Sequence, residues 1–307
     1  MGATGSVRFL VIGGQKCATT TLFRHLASHP QIYMPPQKEV NFFAKPERFA
    51  RGLDWYLATH FADAPAGAIC GEASPLYLAL GSAAQRIRAS VPGARLVALL
   101  RNPIDRAYSH YRMAVRRGLE ARDFATAIRE QQARGAFGLD PEDPERDYLA
   151  FGAYGHSFTA YLERFSRRQI HVEFTEELAH EPAGVMRRIT SFLDADASFA
   201  YPALGRVYHA GGRGRVPRPV ARAVKGAIKG LHPLIGARRA RAAAFWFETE
   251  VSVRRIPDPG PTPGERELLL DFYRDDVARL EDALGVGVPW PEFCAARAAA
   301  GDLRYAR

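Results

Sequence analysis

The sequence contains few cysteines, no long hydrophobic run and no internal repeat. Its three cysteines, Cys17, Cys70 and Cys294, stand far apart without a CxxC pair, which argues against a disulfide scaffold and a structural zinc site. The longest apolar runs are strand-like stretches such as Phe9 to Ile12 and Leu96 to Leu100, far below the roughly 20 residues of a transmembrane helix. The nine histidines show no HExxH pattern, so we expect no metal. These absences predict a soluble globular protein with reduced thiols.

The amino-terminal residues also lack the features of a secretory signal. No basic stretch and no small-residue cleavage site flank the first apolar run, and polar residues resume at Gln15 and Lys16. Reduced cysteines are typical of the cytoplasm. We therefore expect a cytoplasmic protein.

Acidic residues are missing from one long segment, and that absence explains the net charge of +9. The segment Arg206 to Arg241 holds eight Arg and two Lys but no Asp or Glu. Without those ten residues the chain has 32 basic and 33 acidic residues, so the remainder is nearly neutral. A local basic excess of this kind favours an acidic partner that docks nearby.

Strand-like and helix-like patterns alternate along the chain. Strands are predicted at Val7 to Ile12, Ala68 to Cys70, Arg95 to Leu100 and Ile170 to Phe174. Helices are predicted at Thr19 to Ser28, Ala83 to Ser90, Asp105 to Arg117, Phe124 to Gln132, Ser157 to Phe165, Pro182 to Leu193, Val220 to Lys229 and Glu265 to Leu284. This alternation predicts an α/β fold with a mostly parallel, P-loop-like central sheet flanked by helices. No linker is visible, so residues 1–307 are expected to form one domain with a basic, partly irregular subregion at about 206–260, in which Gly211 to Gly214 should be a loop.

The stretch GGQKCATTTL follows the first predicted strand and opens the first helix. Gly13 and Gly14 allow a close turn, Lys16 adds a positive charge, and Thr19 and Thr20 add hydroxyl donors. The free amides and the dipole at a helix start attract anions, so the stretch predicts a phosphate-binding loop, the alternative being an ordinary capped turn. Cysteine and alanine follow Lys16, unlike the pattern GxxxxGK[ST], which weakens a kinase or NTPase interpretation.

A second candidate anion site lies in RLVALLRNPIDRAYSHY, where a buried strand ends at Arg101 and a helix follows. Arg101 offers two parallel hydrogen-bond donors, and Ser109 offers a hydroxyl two turns into the helix. Ligands of open α/β sheets bind at the carboxyl ends of strands, which is where this pair stands. The alternative is a surface salt bridge and an ordinary helical serine.

The third candidate is PPQKEVNFF, in which Lys38 and Glu39 precede the apolar pair Phe42 and Phe43. Loops on a rigid scaffold often carry functional residues. A carboxylate held against aromatic rings is partly desolvated, which suits a general base. An exposed Lys-Glu surface pair is the equally open alternative.

Together these three motifs resemble the PAPS-dependent sulfotransferases, which use 3′-phosphoadenosine 5′-phosphosulfate (PAPS) as sulfuryl donor. GGQKCATTTL is similar to their 5′-phosphosulfate loop, and RNPIDRAYSHY to their 3′-phosphate motif. KEVNFF, followed by GLDWYL, resembles the heparan sulfate N- and 3-O-sulfotransferases. The resemblance covers most of the chain. The cysteine-bridged hairpin of Golgi members is absent and Ala73 stands where polysaccharide-acting relatives often carry lysine, which favours a bacterial-type member.

The resemblance implies a donor site with two main parts and a later basic loop. Its residues would be Gln15, Lys16, Cys17, Ala18, Thr19 and Thr20 in the first loop, Arg101 and Ser109 in the second motif, and Arg213, Gly214 and Arg215 in the basic segment. Tyr208 would neighbour the adenine. Ala18 replaces the usual loop glycine, so we expect either a negative φ or a strained backbone there.

The resemblance also implies catalytic roles for Lys16, Lys38 and Glu39. Glu39 would take the proton from an acceptor hydroxyl, with an amine as second choice, during in-line displacement at sulfur. Lys16 would stabilise the departing phosphate oxygen, and Lys38 would polarise the sulfuryl oxygens. The acceptor is left open among glycans, lipid-linked sugars and small metabolites. No nucleic-acid partner is expected, and the oligomeric state is not predicted.

A different class of function is the alternative: a non-catalytic protein that binds anions or a membrane surface through residues 206–241. That segment alternates apolar residues with Arg222, Lys225 and Lys229, as an interfacial helix does. An enzyme whose basic flank contacts a membrane peripherally would combine the two interpretations.

Overall fold

The computed structural model describes residues 6–135, 137, 139, 143–202, 204, 212–214, 218–230, 236, 243, 247, 253–255, 259–285 and 287–294. The chain divides into two compact units. The first comprises Met1–Gly205 with Gly260–Arg307, and the second comprises Arg206–Pro259. The prediction of a single domain over residues 1–307 stays a prediction.

The first unit contains a parallel sheet of five strands in the order β2-β3-β1-β4-β5. The strands are β1 (Val7–Gly13), β2 (Ile32–Tyr33), β3 (Ile69–Ala73), β4 (Arg95–Leu100) and β5 (Ile170–Phe174). Helices flank this sheet, which confirms the predicted α/β class. All five strands run the same way, so their carboxyl ends lie along one edge, where ligands of such sheets bind.

The helices of the first unit follow the strands in the expected alternation. They are α1 (Thr19–Ser28), α2 (Pro46–Phe49), α3 (Leu53–His60), α4 (Gly81–Ser90), α5 (Pro103–Arg117), α6 (Phe124–Ala133), α7 (Tyr154–Leu162), α8 (Thr175–His180), α9 (Pro182–Phe192) and, after the second unit, α11 (Pro263–Leu284). Short 3-10 turns lie at Ala150–Gly152 and Arg167–Gln169. None of the helices in the described ranges is both long and apolar enough to cross a membrane.

Strand β1 is the centre of the sheet and of the core. Residues Phe9 to Ile12 are fully buried because β3 and β4 flank the strand and helices flank the sheet. Leu10 stands opposite Glu72 on β3 and opposite Leu96 on β4. The loops that leave β1, β3 and β4 therefore start side by side, and two of them carry the candidate motifs.

The second unit contains β6 (Gly212–Gly214), α10 (Arg218–Gly230) and β7 (Val253–Arg255). Strands β6 and β7 pair antiparallel, with Arg213 opposite Arg254. The sequence-based expectation of an irregular loop at Gly211 to Gly214 is therefore wrong, because three of those residues pair with a strand some 40 residues later in the chain, a partner that local patterning does not reveal. The helix predicted at Val220 to Lys229 is present as α10.

Candidate active site

The loop between β1 and α1 leaves backbone amides free at the start of the helix. Gly14 N donates to Leu99 O at 2.7 Å, which ties the loop to β4. Ala18 precedes α1 and has no side-chain oxygen for capping, and no side chain of the residues that the structure describes caps the helix. The first N–H groups of a helix have no partner within it, so the amides of Thr19 and Thr20 are available to an external anion. Thr19 is buried and Thr20 half-buried.

Two residues of this loop adopt the left-handed backbone conformation. Lys16 has φ 67° and Ala18 has φ 56° with ψ 20°. Of the two sequence-based possibilities for Ala18, the structure therefore has the strained one. Strain of this kind persists where the surrounding structure imposes it, and it collects at ligand-binding sites.

Replacing Ala18 with glycine is expected to raise the free energy of unfolding by about 1 kcal/mol, because glycine adopts this conformation without strain from a Cβ atom. Thermal or urea unfolding measures the change. The matched control is Ala27→Gly in the exposed part of α1, where glycine should lower the free energy of unfolding by about 1 kcal/mol. Equal destabilisation by both changes would contradict the strain at Ala18.

Lys16 lies half-buried within a cluster of positive charges. Burial, together with the nearby positive charges of Arg116 and Arg101, lowers its pKa to about 8. Its Nζ atom is 3.7 Å from Met113 Sδ, and within the described part of the chain no carboxylate is within ion-pair distance of it. A cation that is desolvated among other cations is stabilised by a bound anion, so the surroundings favour anion binding at Lys16.

The second predicted motif contacts the first directly. Arg101 follows β4 and donates from Nη1 to Lys16 O at 3.5 Å. Asn102 caps α5 by accepting from the amides of Ile104 and Asp105, which begins the helix that carries Ser109. The structure thus brings Lys16 and Arg101 together, with Ser109 half-buried two turns into α5.

Tyr154 links these two loops and was missed by the sequence analysis. Its hydroxyl donates to Arg101 O at 3.0 Å and lies 3.4 Å from Cys17 Sγ. Burial raises the pKa of the Cys17 thiol to about 11, so this cysteine is a neutral, buried side chain under the loop. Gln15 is half-buried, and its Oε1 atom is buried with no hydrogen-bond partner among the described residues. No local sequence pattern marks Tyr154, because its role depends on contacts with residues far away in the chain.

The third motif presents Lys38 and Glu39 as an ion pair at the surface. Lys38 Nζ is 2.6 Å from Glu39 Oε1, and the two side chains are 14% and 54% exposed. The expectation that aromatic rings desolvate Glu39 is wrong, because Phe42 and Phe43 point into the core while the carboxylate points outwards. The amide of Glu39 donates to Ala73 O at 3.0 Å, which fixes the motif to the end of β3.

The desolvated carboxyl group of this region is Glu72, which the sequence analysis did not select. It is fully buried near the end of β3 and accepts hydrogen bonds from Tyr77 at 2.5 Å and Ser74 at 2.7 Å. Burial raises its pKa to about 7, while these hydrogen bonds and the charge of Lys38 act in the opposite direction. The one sequence signal is an acidic residue within a predicted buried strand end, in the stretch GEASPLYL.

The remaining predicted residues lie in the second unit. Arg213 and Gly214 belong to β6, and Arg215 and Tyr208 lie outside the described residues. Their assignment to the donor site stays a prediction. No group of three or more His, Cys, Asp or Glu side chains with a metal-binding arrangement occurs in the part of the chain that the structure describes.

Comparisons with known proteins address the family of the chain. Human heparan sulfate glucosamine 3-O-sulfotransferase 6 is 30% identical over 187 residues, which are 60% of this chain and 51% of that protein. The bifunctional heparan sulfate N-deacetylase/N-sulfotransferase 1 of Caenorhabditis briggsae is 29% identical over 194 residues, which are 60% of this chain and 22% of that protein. The matched part thus spans between about a fifth and about half the length of these relatives.

The fold is similar to that of a solved sulfotransferase structure. The sulfotransferase from Alicyclobacillus acidocaldarius is 26% identical and superimposes with a TM-score of 0.66, covering 92% of this chain and 98% of that one. The family model described as "Sulfotransferase domain" matches residues 7–206, which include both candidate anion-binding loops and the Lys38-Glu39 pair. Since this match covers well over half of the chain, the protein belongs to the sulfotransferase domain family.

Proposed function

We propose that the protein transfers a sulfuryl group from PAPS to a hydroxyl group of an acceptor in the cytoplasm. The observation that carries the proposal is the contact between the two anion-binding loops. Lys16 and Arg101 lie together at the start of α1, among cations and beside free amides. The Lys38-Glu39 pair is hydrogen-bonded to the end of β3, the strand beside β1, at the same edge of the sheet. Family membership supports the same reaction class.

The residues present fit a donor with two separate anionic groups. The free amides of Thr19 and Thr20 and the ammonium group of Lys16 suit the 5′-phosphosulfate. Arg101 and Ser109 suit the 3′-phosphate, because a guanidinium and a hydroxyl both donate to phosphate oxygens. The buried Oε1 of Gln15, for which the described part of the chain supplies no hydrogen-bond donor, is an acceptor that a donor group of the nucleotide can satisfy. The proposal requires no metal.

Bound PAPS would supply an electrophilic sulfur with a phosphate as leaving group. Glu39 takes the proton of the acceptor hydroxyl as the hydroxyl oxygen attacks, and its exposed carboxylate is accessible to a substrate from solvent. Lys16 stabilises the negative charge that develops on the departing phosphate oxygen. Lys38, 2.6 Å from Glu39, orients that carboxylate and adds positive charge near the transferred group.

The acceptor class is proposed from the relatives and the site. Two relatives are named for heparan sulfate, which is a glycan, and each of them matches 60% of this chain. A carboxylate base suits a hydroxyl acceptor, which must lose a proton on transfer, and an amine is the second choice. A glycan, a lipid-linked sugar or a small hydroxylated metabolite meets these conditions.

Calorimetric titration with adenosine 3′,5′-bisphosphate, the nucleotide product, tests the donor site. We expect tight binding without metal, weakened about 100-fold by Arg101→Ala, because a half-buried charge-assisted contact to phosphate contributes about 2–3 kcal/mol. The matched control is Arg129→Ala on the exposed face of α6, which removes the same charge without touching the site. It should bind as the wild type does.

Two results would contradict this proposal. One is preferential binding of ATP with Mg²⁺, which would indicate a kinase. The other is salt-dependent liposome binding that survives Lys16→Ala and Glu39→Ala in a protein without transferase activity. That result would favour a binding protein that uses α10, where Val220 is 49% exposed on the apolar face.

A further inference from the structure

Glu72 is a buried carboxylate without a cationic partner. It is 0% exposed, and among the described residues no Lys, Arg or His side chain forms an ion pair with it. Its hydrogen-bond partners are three hydroxyl groups, from Tyr77 at 2.5 Å, Ser74 at 2.7 Å and Tyr56 at 3.5 Å. Burying a carboxylate costs free energy, so its place beside the proposed catalytic loop calls for a functional reason.

Two of these hydroxyl groups also bind the loop that carries Glu39. Ser74 Oγ accepts from the amide of Asn41 at 2.9 Å, and Tyr77 Oη accepts from the amide of Phe43 at 3.4 Å. Each hydroxyl has one proton, which it gives to Glu72, so its oxygen lone pairs face the loop. The carboxylate therefore fixes the direction of both hydroxyls, and the hydroxyls fix residues 41 and 43.

The loop needs such external support because its backbone is strained. Glu39 has φ 62° and Asn41 has φ 52°, both in the left-handed region that non-glycine residues rarely adopt. The amide of Glu39 is bound to Ala73 O, directly after Glu72 in β3. A strained backbone persists where surrounding contacts hold it in place. Here three hydrogen bonds to the segment of residues 73–77 hold the loop.

We propose that Glu72 is a positioning residue, whose ionised carboxylate orients Ser74 and Tyr77 so that they hold the loop of residues 38–43 with Glu39 presented to the acceptor. The inference rests on the proposed role of Glu39 as the base. Protonated Glu72 needs one oxygen as a donor, so it can no longer accept from all its hydroxyl partners. The hydrogen bonds from the amides of Asn41 and Phe43 to Ser74 and Tyr77 then weaken.

The surroundings place this change near neutral pH. Burial raises the pKa of Glu72 to about 7, against the hydrogen bonds of Tyr77, Ser74 and Tyr56 and the charge of Lys38. Among the described residues, the titratable and charged groups with the largest effect on Glu72 are Lys38 from the loop, Tyr56 from α3 and Tyr77 from the turn after β3. Both tyrosines have pKa values well above their ordinary range, so they stay neutral donors. The loop should therefore tighten as pH rises through about 7.

The first test compares the wild type with Glu72→Gln by amide hydrogen exchange between pH 6 and 8, corrected for the intrinsic pH dependence of exchange. We expect the amides of residues 39–43 to gain protection through pH 7 in the wild type only. Ser74→Ala keeps the carboxylate and removes one link, so it should lose protection at Asn41 alone. The measurement needs no substrate, so it tests whether Glu72 holds the loop of residues 38–43 even if the proposed reaction is wrong.

The second test is the pH profile of transfer. Glu72→Gln should lower kcat about 10- to 100-fold through a misplaced Glu39, remove the inflection near pH 7 and leave the affinity for adenosine 3′,5′-bisphosphate within about twofold. The matched control is Glu173→Gln, a buried glutamate on β5 that is bound to Arg188 and His171. That variant should keep the inflection. Equal protection of residues 39–43 in the wild type and Glu72→Gln at pH 8 would overturn the proposal.

Discussion

Replacing Lys16 with methionine is expected to lower kcat for sulfuryl transfer by about 10²- to 10³-fold, the effect of removing one preorganised group from a developing negative charge. Methionine keeps the length and apolar stem of the side chain, so the half-buried position is still filled. The affinity for adenosine 3′,5′-bisphosphate should fall much less, because the helix amides and Arg101 remain. Steady-state kinetics and calorimetry together separate the two effects.

The pH dependence of kcat/KM is a second test of the role of Lys16. Burial and neighbouring arginines lower the pKa of Lys16 to about 8, so the free enzyme loses this positive charge as pH rises through 8. We expect kcat/KM of the wild type to fall above about pH 8 and Lys16→Met to lack that fall. The matched control is Lys45→Met, an exposed lysine in the same half of the chain. A Lys16→Met variant with kcat within about threefold of the wild type would exclude the charge-stabilising role.

The phosphate-binding loop could be predicted because its signal is local. An apolar strand, a turn and an amphipathic helix follow one another within 22 residues, and α1 begins and ends at the predicted residues, Thr19 and Ser28. Strands β4 and β5 also have the predicted bounds. Each of these elements is specified by its own burial pattern.

Elements that depend on distant residues were predicted less accurately. Helix α7 was expected to begin at Ser157 but begins at Tyr154. Its first turn is capped from α11, where the buried carboxylate of Asp276 accepts from the amides of Gly155 and His156 at 2.9 and 2.8 Å. A capping residue about 120 residues away produces no sequence pattern next to the helix it caps. The role of Tyr154 could not be predicted for the same reason, because its contacts also lie far away in the chain.

The Lys38-Glu39 motif was predicted as a site, but its electrostatics were not. Sequence proximity to Phe42 and Phe43 suggested a desolvated base, whereas the Glu39 side chain is 54% exposed. The buried carboxyl group is Glu72, brought beside the motif by the pairing of the loop with β3. Which of two neighbouring carboxylates is desolvated is a property of tertiary structure, and composition does not reveal it.

Replacing Glu39 with glutamine is expected to lower kcat by about 10²- to 10⁴-fold, the range lost when a general base is removed. Glutamine is isosteric and can still accept a hydrogen bond from Lys38, but it cannot take a proton from the acceptor. The Lys38-Glu39 ion pair is exposed and contributes at most about 1 kcal/mol, so the variant should fold normally. Steady-state kinetics with a sulfated product as readout measures the loss.

The matched control for Glu39→Gln is Glu47→Gln, an exposed glutamate in the first turn of α2, which should leave kcat unchanged. Binding of adenosine 3′,5′-bisphosphate should be the same in both variants, because the donor loops lie at β1 and β4 and not at the end of β3. A Glu39→Gln variant that binds the nucleotide and keeps kcat would assign proton removal to another group. Such a result would still leave the donor site in place, since Lys16 and Arg101 are tested independently of Glu39.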